Sequence, residues 1–303
     1  MLTPWGDFAV ADAHVHFFSR KFFSALGSQA GKTAEQVAET AGWVLPAEDP
    51  VELGRAWSAE LDGHGVTHAA LIASMPGDEE SVAVAVRCHP SRFVGFFMLD
   101  PSAADAPERA RRGLTELGLR AVCLFPAMHH VSLYDDRVTR IVEAVAQVPG
   151  GAVFIHCGAL SVGVRQKLGL PSAFHLRLGN PLEVSRLALA FPHVPFIIPH
   201  FGAGLFREAL MAADLCPNIY FDTSSTNRWI RYTPGLTLAE AFRTALSIAG
   251  PSRLLFGTDS SFFPRGWHRP IYEEQKAIVV NAHIGPADAG LIFGGNFDRL
   301  FPR

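Results

Sequence analysis

The strongest constraint on the fold is an alternation that repeats eight times along the 303-residue chain. Each unit combines a short, almost continuously apolar run with a stretch of helical periodicity. Continuous hydrophobicity is typical of strands covered on both faces, as in a parallel sheet. Eight such units predict a closed (β/α)8 barrel, or TIM barrel, with an open doubly wound sheet as the alternative. The apolar runs are FAVADAH (8–14), HAALIAS (68–74), FVGFFML (93–99), LRAVCLF (119–125), AVFIHC (152–157), PFIIPH (195–200), NIYFD (218–222) and RLLFGTD (253–259).

Two connections between these runs are longer than one helix and its turns, namely residues 17–67 and 158–194. In a barrel we expect both to be insertions in loops that follow strands. Such loops lie above the carboxyl ends of the strands, where the active sites of barrel enzymes are found. Because no linker or low-complexity stretch interrupts the chain, we expect one domain over residues 1–303.

Charge and composition argue against several classes of function. The formal net charge of −3 lacks the excess of cations that nucleic-acid binding needs. The chain has no run of 18 apolar residues, so a membrane-spanning helix is not expected. The first residues do not resemble a signal peptide, and four cysteines without a CxxC pair suggest reduced thiols. We therefore expect a cytoplasmic protein with a small-molecule substrate and no nucleic-acid or membrane partner; a homodimer is compatible with this size.

Polar side chains end four of the predicted strands. His14 and His16 end the first, and residues two apart on a strand point to the same face. Two neutral imidazoles placed in this way are suitable ligands for zinc or a similar divalent ion. His156, His200 and Asp259 end the fifth, sixth and eighth strands. Five potential ligands or proton carriers at one end of a barrel predict a catalytic centre, since separate structural roles explain such a set poorly.

Several longer motifs, together spanning almost the whole chain, point in the same direction. They are DAHVH (12–16), GVTHAALIAS (65–74), the strand-five histidine, NPLEVSRLALAFPHVPFIIPHFGAG (180–204), LLFGTDSSFF (254–263) and GGNFDRLF (294–301). With these motifs the chain resembles the amidohydrolase superfamily. The similarity is specifically to the amidohydrolase-2 group, which contains aminocarboxymuconate-semialdehyde decarboxylase.

This resemblance implies one divalent metal ion with four ligands, and a catalytic acid or base beside it. The implied ligands are His14, His16, His156 and Asp259, and the implied acid or base is His200. Many members with two ions use a carboxylated lysine at the end of the fourth strand. The corresponding LRAVCLFPAMHH has no lysine, so a single ion is expected. Some decarboxylases of the group have a glutamate in place of the first histidine, and this chain departs from that subtype.

The chemistry of these residue types agrees with a catalytic role. Three imidazoles and one carboxylate leave coordination open for water. Zinc lowers the pKa of bound water to about 7, and we expect Zn²⁺, with Mn²⁺ or Fe²⁺ as alternatives. Asp259 can bind the ion through one oxygen and accept the water proton through the other. His200 can then pass that proton to a leaving group. We therefore predict Asp259 and His200 as the catalytic residues.

Aromatic and arginine side chains follow the predicted ligands. Phe17 and Arg20 come after the histidine pair, and Arg265 and Trp267 come after Asp259. Aromatic surface interleaved with guanidinium groups suits a flat, carboxylated small molecule. The sequence therefore predicts these four residues as substrate-binding.

The leading hypothesis is a metal-dependent hydrolase of the amidohydrolase-2 type. It would use metal-activated water on an ester, lactone or amide of a small cyclic or carboxylated compound. The alternative is a metal-dependent, non-oxidative decarboxylase, a carbon–carbon lyase of the aminocarboxymuconate-semialdehyde decarboxylase type. Because the same five residues serve both reactions, the sequence leaves the reaction open. A third hypothesis, a non-catalytic barrel that binds a metabolite, is expected to lose at least one of the five, and all are present.

Overall fold

The structure, a computed structural model, describes residues 1–224 and 228–302, without the side chain of Leu2. In these residues a short antiparallel hairpin pairs Leu2–Thr3 with Gly6–Asp7. It is followed by a sheet of parallel strands that pair in chain order, each with the next. The strands of this sheet are β1 (Ala11–Phe17), β2 (His68–Ala73), β3 (Phe93–Leu99), β4 (Ala121–Leu124), β5 (Ala152–Ile155), β6 (Phe196–Ile198), β7 (Ile219–Asp222) and β8 (Leu254–Leu255).

The two ends of this sheet meet and give a nearly closed barrel. Val15 of β1 forms a parallel bridge with Ser260, which lies beyond β8. The backbone amide of His16 donates to the carbonyl oxygen of Ser260 at 2.7 Å, and that of Ala13 donates to the carbonyl of Phe256 at 2.8 Å. These bonds join the first strand to the segment that follows the last one. The predicted (β/α)8 barrel is therefore confirmed, and the open sheet is not found.

Helices connect the strands and surround the barrel. Their ends follow local sequence rules: α2, for example, begins at a capping box formed by Thr33 and Gln36 and ends at Gly42 with φ 70°. No helix among the described residues is both long and apolar enough to cross a membrane. The helices are α1 (Arg20–Ala30), α2 (Ala34–Ala41), α3 (Pro50–His64), α4 (Glu79–Cys88), α5 (Ala106–Thr115), α6 (Pro126–His129), α7 (Asp136–Ala146), α8 (Gly163–Lys167), α9 (Leu182–Ala190), α10 (Phe206–Leu215), α11 (Leu238–Ala249), α12 (Arg269–Asn281), α13 (Pro286–Gly290) and α14 (Asn296–Leu300).

Alternation along the strands produces two apolar layers. One layer includes Ile72, Phe96 and Phe154 and fills the interior of the barrel, where Phe301 packs 5.1 Å from Phe96. The other layer, which includes Leu71, lies between the strands and the helices. Because side chains fill the barrel interior, the space for a ligand lies above the carboxyl ends of the strands.

A bulge in β1 directs two histidines toward that space. Between residues 12 and 15, β1 has one residue more than the paired segment of β2. An extra residue shifts the alternation of side chains by one position. Ala13 belongs to the inner layer before the shift. After it, His14 and His16 face the inner side and line the cavity, whereas Phe17 joins the outer layer.

The two long connections lie above the carboxyl ends of the strands, as their position in the sequence predicts. The connection of residues 17–67 contains α1, α2 and α3, and Phe22 and Leu26 of α1 line the cavity there. The connection of residues 158–194 contains α8, whose Val164 also lines the cavity and packs in the same apolar cluster as Phe22 and Leu26. The organisation of residues 1–303 as one domain stays a prediction.

Candidate metal centre and substrate pocket

A cavity of about 1100 Å³ opens above the carboxyl ends of the barrel strands. Small-molecule sites usually have volumes of about 300–1000 Å³, so this cavity can hold a substrate together with water. The structure brings all five predicted strand-end residues to the cavity wall. These are His14, His16, His156, His200 and Asp259.

Three of the five have ligand atoms close enough to share one metal ion. The ligand atoms of His14, His16 and Asp259 all lie within 4.8 Å of one another. Nε2 of His14 and Nε2 of His16 are 3.3 Å apart, and Oδ1 of Asp259 is 3.6 Å and 3.0 Å from them, respectively. Two imidazole nitrogens bound at about 2.0–2.1 Å to one tetrahedral zinc ion lie about 3.3 Å from each other. The observed separation fits this coordination.

Hydrogen-bond partners hold Nδ1 of both histidines and turn Nε2 toward the Asp259 carboxylate. Nδ1 of His14 lies 2.6 Å from the carboxylate of Asp222, which can only accept a proton. Nδ1 of His16 lies 2.7 Å from the hydroxyl of Ser74, and that hydroxyl donates its proton to the carbonyl of Ile72. A neutral ring with its proton on Nδ1 has a lone pair on Nε2, and in both histidines Nε2 is the nitrogen on the side of Asp259. Partners of this kind orient the histidine ligands of metal sites.

His156 stands beside this group, outside the set of three ligand atoms. Its ring stacks on Phe125 at 5.2 Å and lies 5.3 Å from the ring of His200. Its Nδ1 is buried and has no hydrogen-bond partner among the described residues. A buried polar atom without a partner is unfavourable unless an ion or a water completes it. The three ligand atoms of His14, His16 and Asp259 fit a metal ion at the cavity, and His156 is the neighbouring residue with a buried nitrogen that still lacks a partner in the described part of the chain.

His200 and Asp259 both have unusual backbone conformations. Their φ angles are 56° and 59°, in the left-handed region that costs a residue with a side chain about 1–2 kcal/mol. Nδ1 of His200 lies 3.1 Å from the carbonyl oxygen of Ser224, which only accepts, so the neutral ring carries its proton there. Nε2 of His200 is then free to accept a proton.

Burial and neighbouring charges set the protonation of the site. Burial is the main cause that lowers the pKa of His16, His156 and His200 below the usual value. Neutral imidazole is the form that binds metal ions. Burial alone would raise the pKa of Asp259, but the His16 hydrogen bond and the nearby positive charges hold it below its usual value. Burial would lower the pKa of His14, yet the adjacent carboxylates raise it.

The rest of the cavity wall is rich in cations. Among the described residues that line it, Arg165, Lys167, Arg228 and Arg265 are cationic, and Asp259 is the one carboxylate. Nη2 of Arg265 donates to the Asp259 carbonyl at 3.1 Å and to the Ser261 hydroxyl at 2.8 Å. The remaining guanidinium donors are available to an anion near Asp259.

A row of stacked aromatic rings runs from the His16 ring to the guanidinium of Arg265. Phe18 lies 5.3 Å from the His16 ring and 5.5 Å from Trp43, and Trp43 lies 4.4 Å from Phe262. The guanidinium of Arg265 lies over the ring of Phe262 at 4.5 Å. We call Phe18, Trp43 and Phe262 the aromatic row. All three rings line the cavity and offer flat surface to a substrate.

Three of the predicted substrate-binding residues do not line the cavity. Phe17 is fully buried in the outer apolar layer, because the alternation that turns His16 inward turns its neighbour outward. Arg20 begins α1 and pairs with Glu35 at the surface. Trp267 is buried, and its Nε1 donates to Asp12 at 2.7 Å. Their positions correct the expectation, and Arg265 is the predicted contact that the structure leaves at the cavity.

Asp12 has a structural role that the sequence does not predict. Its buried carboxylate accepts hydrogen bonds from the backbone amides of His14 and Thr258 and from the indole of Trp267. It therefore ties β1 to the segment that carries Asp259. Burial raises the pKa of Asp12 to about 6. The signal available in the sequence was its place in DAHVH, two residues before the first histidine.

A comparison with protein families identifies the family of a chain with this barrel and this group of side chains. The family model described as Amidohydrolase matches residues 11–303, nearly the whole chain. The chain belongs to the amidohydrolase family. The resemblance read from the sequence motifs is thereby confirmed, including the amidohydrolase-2 group.

Solved structures share this amidohydrolase barrel. A 5-carboxyvanillate decarboxylase from Novosphingobium aromaticivorans, solved with bound manganese, is 15% identical, with a TM-score of 0.69 over 98% of this chain and 97% of that chain. A probable 2-pyrone-4,6-dicarboxylic acid hydrolase from Acinetobacter baumannii is 17% identical, with a TM-score of 0.62 over 98% of this chain and 100% of that chain. These likenesses show a common fold.

A curated relative covers a smaller part of the amidohydrolase chain. Protein fluG of Emericella nidulans is 30% identical over 90 residues, which are 30% of this chain. The matched segment spans 10% of the length of that relative. It supports the relationship of this segment and does not define a substrate.

Proposed function

We propose that this protein is a metal-dependent hydrolase that cleaves an ester, lactone or amide of a small cyclic or carboxylated compound. The observation that carries the proposal is that two imidazole nitrogens and one carboxylate oxygen lie together at the wall of a large cavity. That arrangement can hold an ion through one oxygen of Asp259 and leaves the second oxygen of the same carboxylate for proton transfer. Hydrolysis needs both elements.

In this proposal His14, His16 and Asp259 would hold one divalent ion, with His156 beside them as the fourth ligand that the family resemblance implies. Nitrogen and carboxylate donors suit zinc, with manganese or iron as alternatives. When bound, such an ion polarises a carbonyl oxygen and makes hydroxide available near neutral pH.

The protein's own side chains then position the substrate and move its protons. The second oxygen of Asp259 accepts the proton of the attacking water. His200, which lines the cavity, takes up that proton on Nε2 and delivers it to the leaving group. Arg265 binds a carboxylate of the substrate, and the aromatic row packs against its ring. The excess of cations over carboxylates around the cavity favours an anionic substrate.

A lactone and an aromatic carboxylate separate the two candidate reactions. We would load the protein with zinc or manganese and offer 2-pyrone-4,6-dicarboxylate together with a panel of carboxylated lactones and esters. We expect a product that gains one water and incorporates oxygen from labelled water, with no carbon dioxide. An Asp259→Asn variant serves as the matched control and should be inactive. If the loaded protein hydrolysed none of the compounds in the panel, the proposal would be contradicted.

Decarboxylation is the second candidate, and the likeness to a manganese-containing 5-carboxyvanillate decarboxylase favours it. Here Arg265 would hold a carboxylate and His200 would protonate the carbon that carbon dioxide leaves. Release of carbon dioxide from 5-carboxyvanillate or a related acid, with no uptake of water, would establish this reaction in place of hydrolysis. A homodimeric state and a cytoplasmic location stay predictions.

A further inference from the structure

Asp222 is a fully buried carboxylate at the end of β7, and the mechanism above gives it no task. Its two oxygens have different partners. Oδ2 lies 2.6 Å from Nδ1 of His14, and Oδ1 accepts from the backbone amide of Ser224 at 2.8 Å. The carboxylate therefore lies between two different partners. The backbone amide of Ser224 can only donate a hydrogen bond, whereas the imidazole nitrogen of His14 can donate or accept one, depending on where its proton is.

The proton of His14 decides whether its other nitrogen can bind a metal ion. A neutral imidazole has one proton, on Nδ1 or on Nε2, and only the unprotonated nitrogen can act as a ligand. Nε2 is the nitrogen that faces His16 and Asp259. The tautomer with the proton on Nδ1 is thus the one that the metal centre requires.

We infer that Asp222 is a positioning residue that keeps the proton of His14 on Nδ1 and so presents Nε2 to the metal ion. The inference rests on the proposed metal-dependent function for its consequence, although the tautomer itself can be observed without any metal. Ser224 assists, because its amide fixes one oxygen of Asp222 and leaves the other for His14.

The substitution Asp222→Asn tests this with almost no change of shape. An amide group has one oxygen and one NH₂. Because the Ser224 amide always donates, the side-chain oxygen must face it if that bond is to persist, and the NH₂ then faces His14. Nδ1 must become the acceptor, and the proton moves to Nε2. An aspartate-to-asparagine change beside a catalytic histidine is known to impose the wrong tautomer in this way.

The first measurement is nitrogen NMR of the histidine rings in metal-free protein at alkaline pH, with the His14 signals assigned through a His14→Gln variant. We expect the proton on Nδ1 in the parent and on Nε2 in Asp222→Asn. If the parent carries it on Nε2, or if the Asn variant leaves it on Nδ1, the inference is overturned.

The second measurement is the affinity for zinc, determined by competition with a chelator. Loss of a partner of a metal-bound histidine typically weakens metal binding about 10–100-fold, and we expect that range for Asp222→Asn. Thr223→Val is the matched control, because it removes a buried hydrogen bond of 2.7 Å to Gln275 at the same strand end without touching His14. It should bind zinc as the parent does. Equal loss in both variants would show a general disruption of the strand end and overturn the inference.

A third variant separates the two neighbours of the His14 Nδ1 atom. The Ser224 hydroxyl oxygen lies 3.0 Å from it, further than Asp222. We expect Ser224→Ala to keep both the tautomer and the zinc affinity. A parent that shows the expected tautomers yet binds no divalent ion would contradict the proposed function, while the assignment of the His14 proton would stand.

Discussion

The side chains at the strand ends have two different proposed roles, because some would bind the metal ion and one would carry a proton. His14, His16 and Asp259 contribute ligand atoms within 4.8 Å of one another, whereas His200 lines the cavity outside this group with its Nδ1 bonded to the carbonyl of Ser224. A series of alanine substitutions can therefore distinguish ligands from the proton carrier, because loss of a ligand and loss of an acid or base have different consequences.

We expect Ala at position 14, 16, 156 or 259 to lower metal occupancy, since each removes one proposed ligand. His200→Ala should keep the metal and lose about 10²–10⁴-fold in turnover, the usual contribution of general acid–base catalysis. Elemental analysis of purified variants, together with the hydrolysis assay, measures both effects. A His200→Ala protein purified without metal would show that His200 is a ligand instead.

The contact of Arg265 with a substrate anion gives a second expectation. Charge-assisted hydrogen bonds contribute about 1.5–3 kcal/mol, so Arg265→Ala should raise KM for a carboxylated substrate about 10–100-fold. Lysine should restore little, because a point charge does not reproduce the planar guanidinium. Arg20→Ala is the matched control, since Arg20 pairs with Glu35 away from the cavity, and its KM should equal that of the parent. Equal KM values for all three variants would remove Arg265 from the binding site.

At this scale the sequence predicts polar residues at strand ends better than it predicts their neighbours. His14 and His16 could be placed on one face because strand geometry alternates with period two. The same rule, applied one residue further, would have turned Phe17 away from the cavity. The partners of Arg20 and Trp267 could not be predicted, because Glu35 and Asp12 come near them only through the fold.

Among the secondary-structure elements, the connection between β1 and β2 has the most direct influence on the cavity. It places Trp43 between Phe18 and Phe262, and the amide of Val44 donates to the carbonyl of Phe263 at 2.8 Å. The sequence predicted an insertion at this place, but its apolar residues gave no indication of which rings would stack. The last predicted strand, 253–259, is regular only at Leu254–Leu255, and Asp259 at its end adopts a left-handed conformation.

Trp43→Ala should loosen this connection. Each aromatic contact contributes about 0.5–1.5 kcal/mol, so loss of the three contacts of Trp43, with Phe18, Phe23 and Phe262, should speed hydrogen exchange in residues 42–49 by about tenfold or more. Val44→Ala is the control next to it, because the Val44 side chain is exposed and its backbone bond is retained. Exchange that is unchanged in Trp43→Ala would mean that the stack does not hold the segment.

On the scale of the whole molecule, closure of the barrel depends on a few contacts between the first strand and the segment after the last. Asp12 provides several of them, because its carboxylate joins His14 of β1 to Thr258 and Trp267. The eightfold alternation predicted a closed barrel, but it did not indicate which side chain connects β1 to the segment after β8.

Asp12→Ala should lower the free energy of unfolding by about 3–6 kcal/mol, because several buried donors lose their acceptor at about 1–3 kcal/mol each. Urea denaturation measures this change. Asp7→Ala, at an exposed carboxylate that pairs with the amino terminus, should change stability by less than about 0.5 kcal/mol. Equal stability of the two variants would show that Asp12 does not secure the join.

The whole chain should bind one divalent ion. Its four lysines are Lys21, Lys32, Lys167 and Lys276, and none lies in β4, where a second ion would require a carboxylated lysine according to the family pattern. Lys167, which lines the cavity, donates to the carbonyl of Ala41. Elemental analysis at saturation should therefore return one ion per chain, and two tightly bound ions would contradict this expectation.

The left-handed backbone of His200 and Asp259 has a consequence for evolution. Glycine would adopt both conformations without strain, so its introduction at either position would remove the strain and destroy the site at the same time. Selection for thermal stability alone would therefore favour the loss of these two side chains. Their presence at strained positions agrees with the roles proposed for these two side chains.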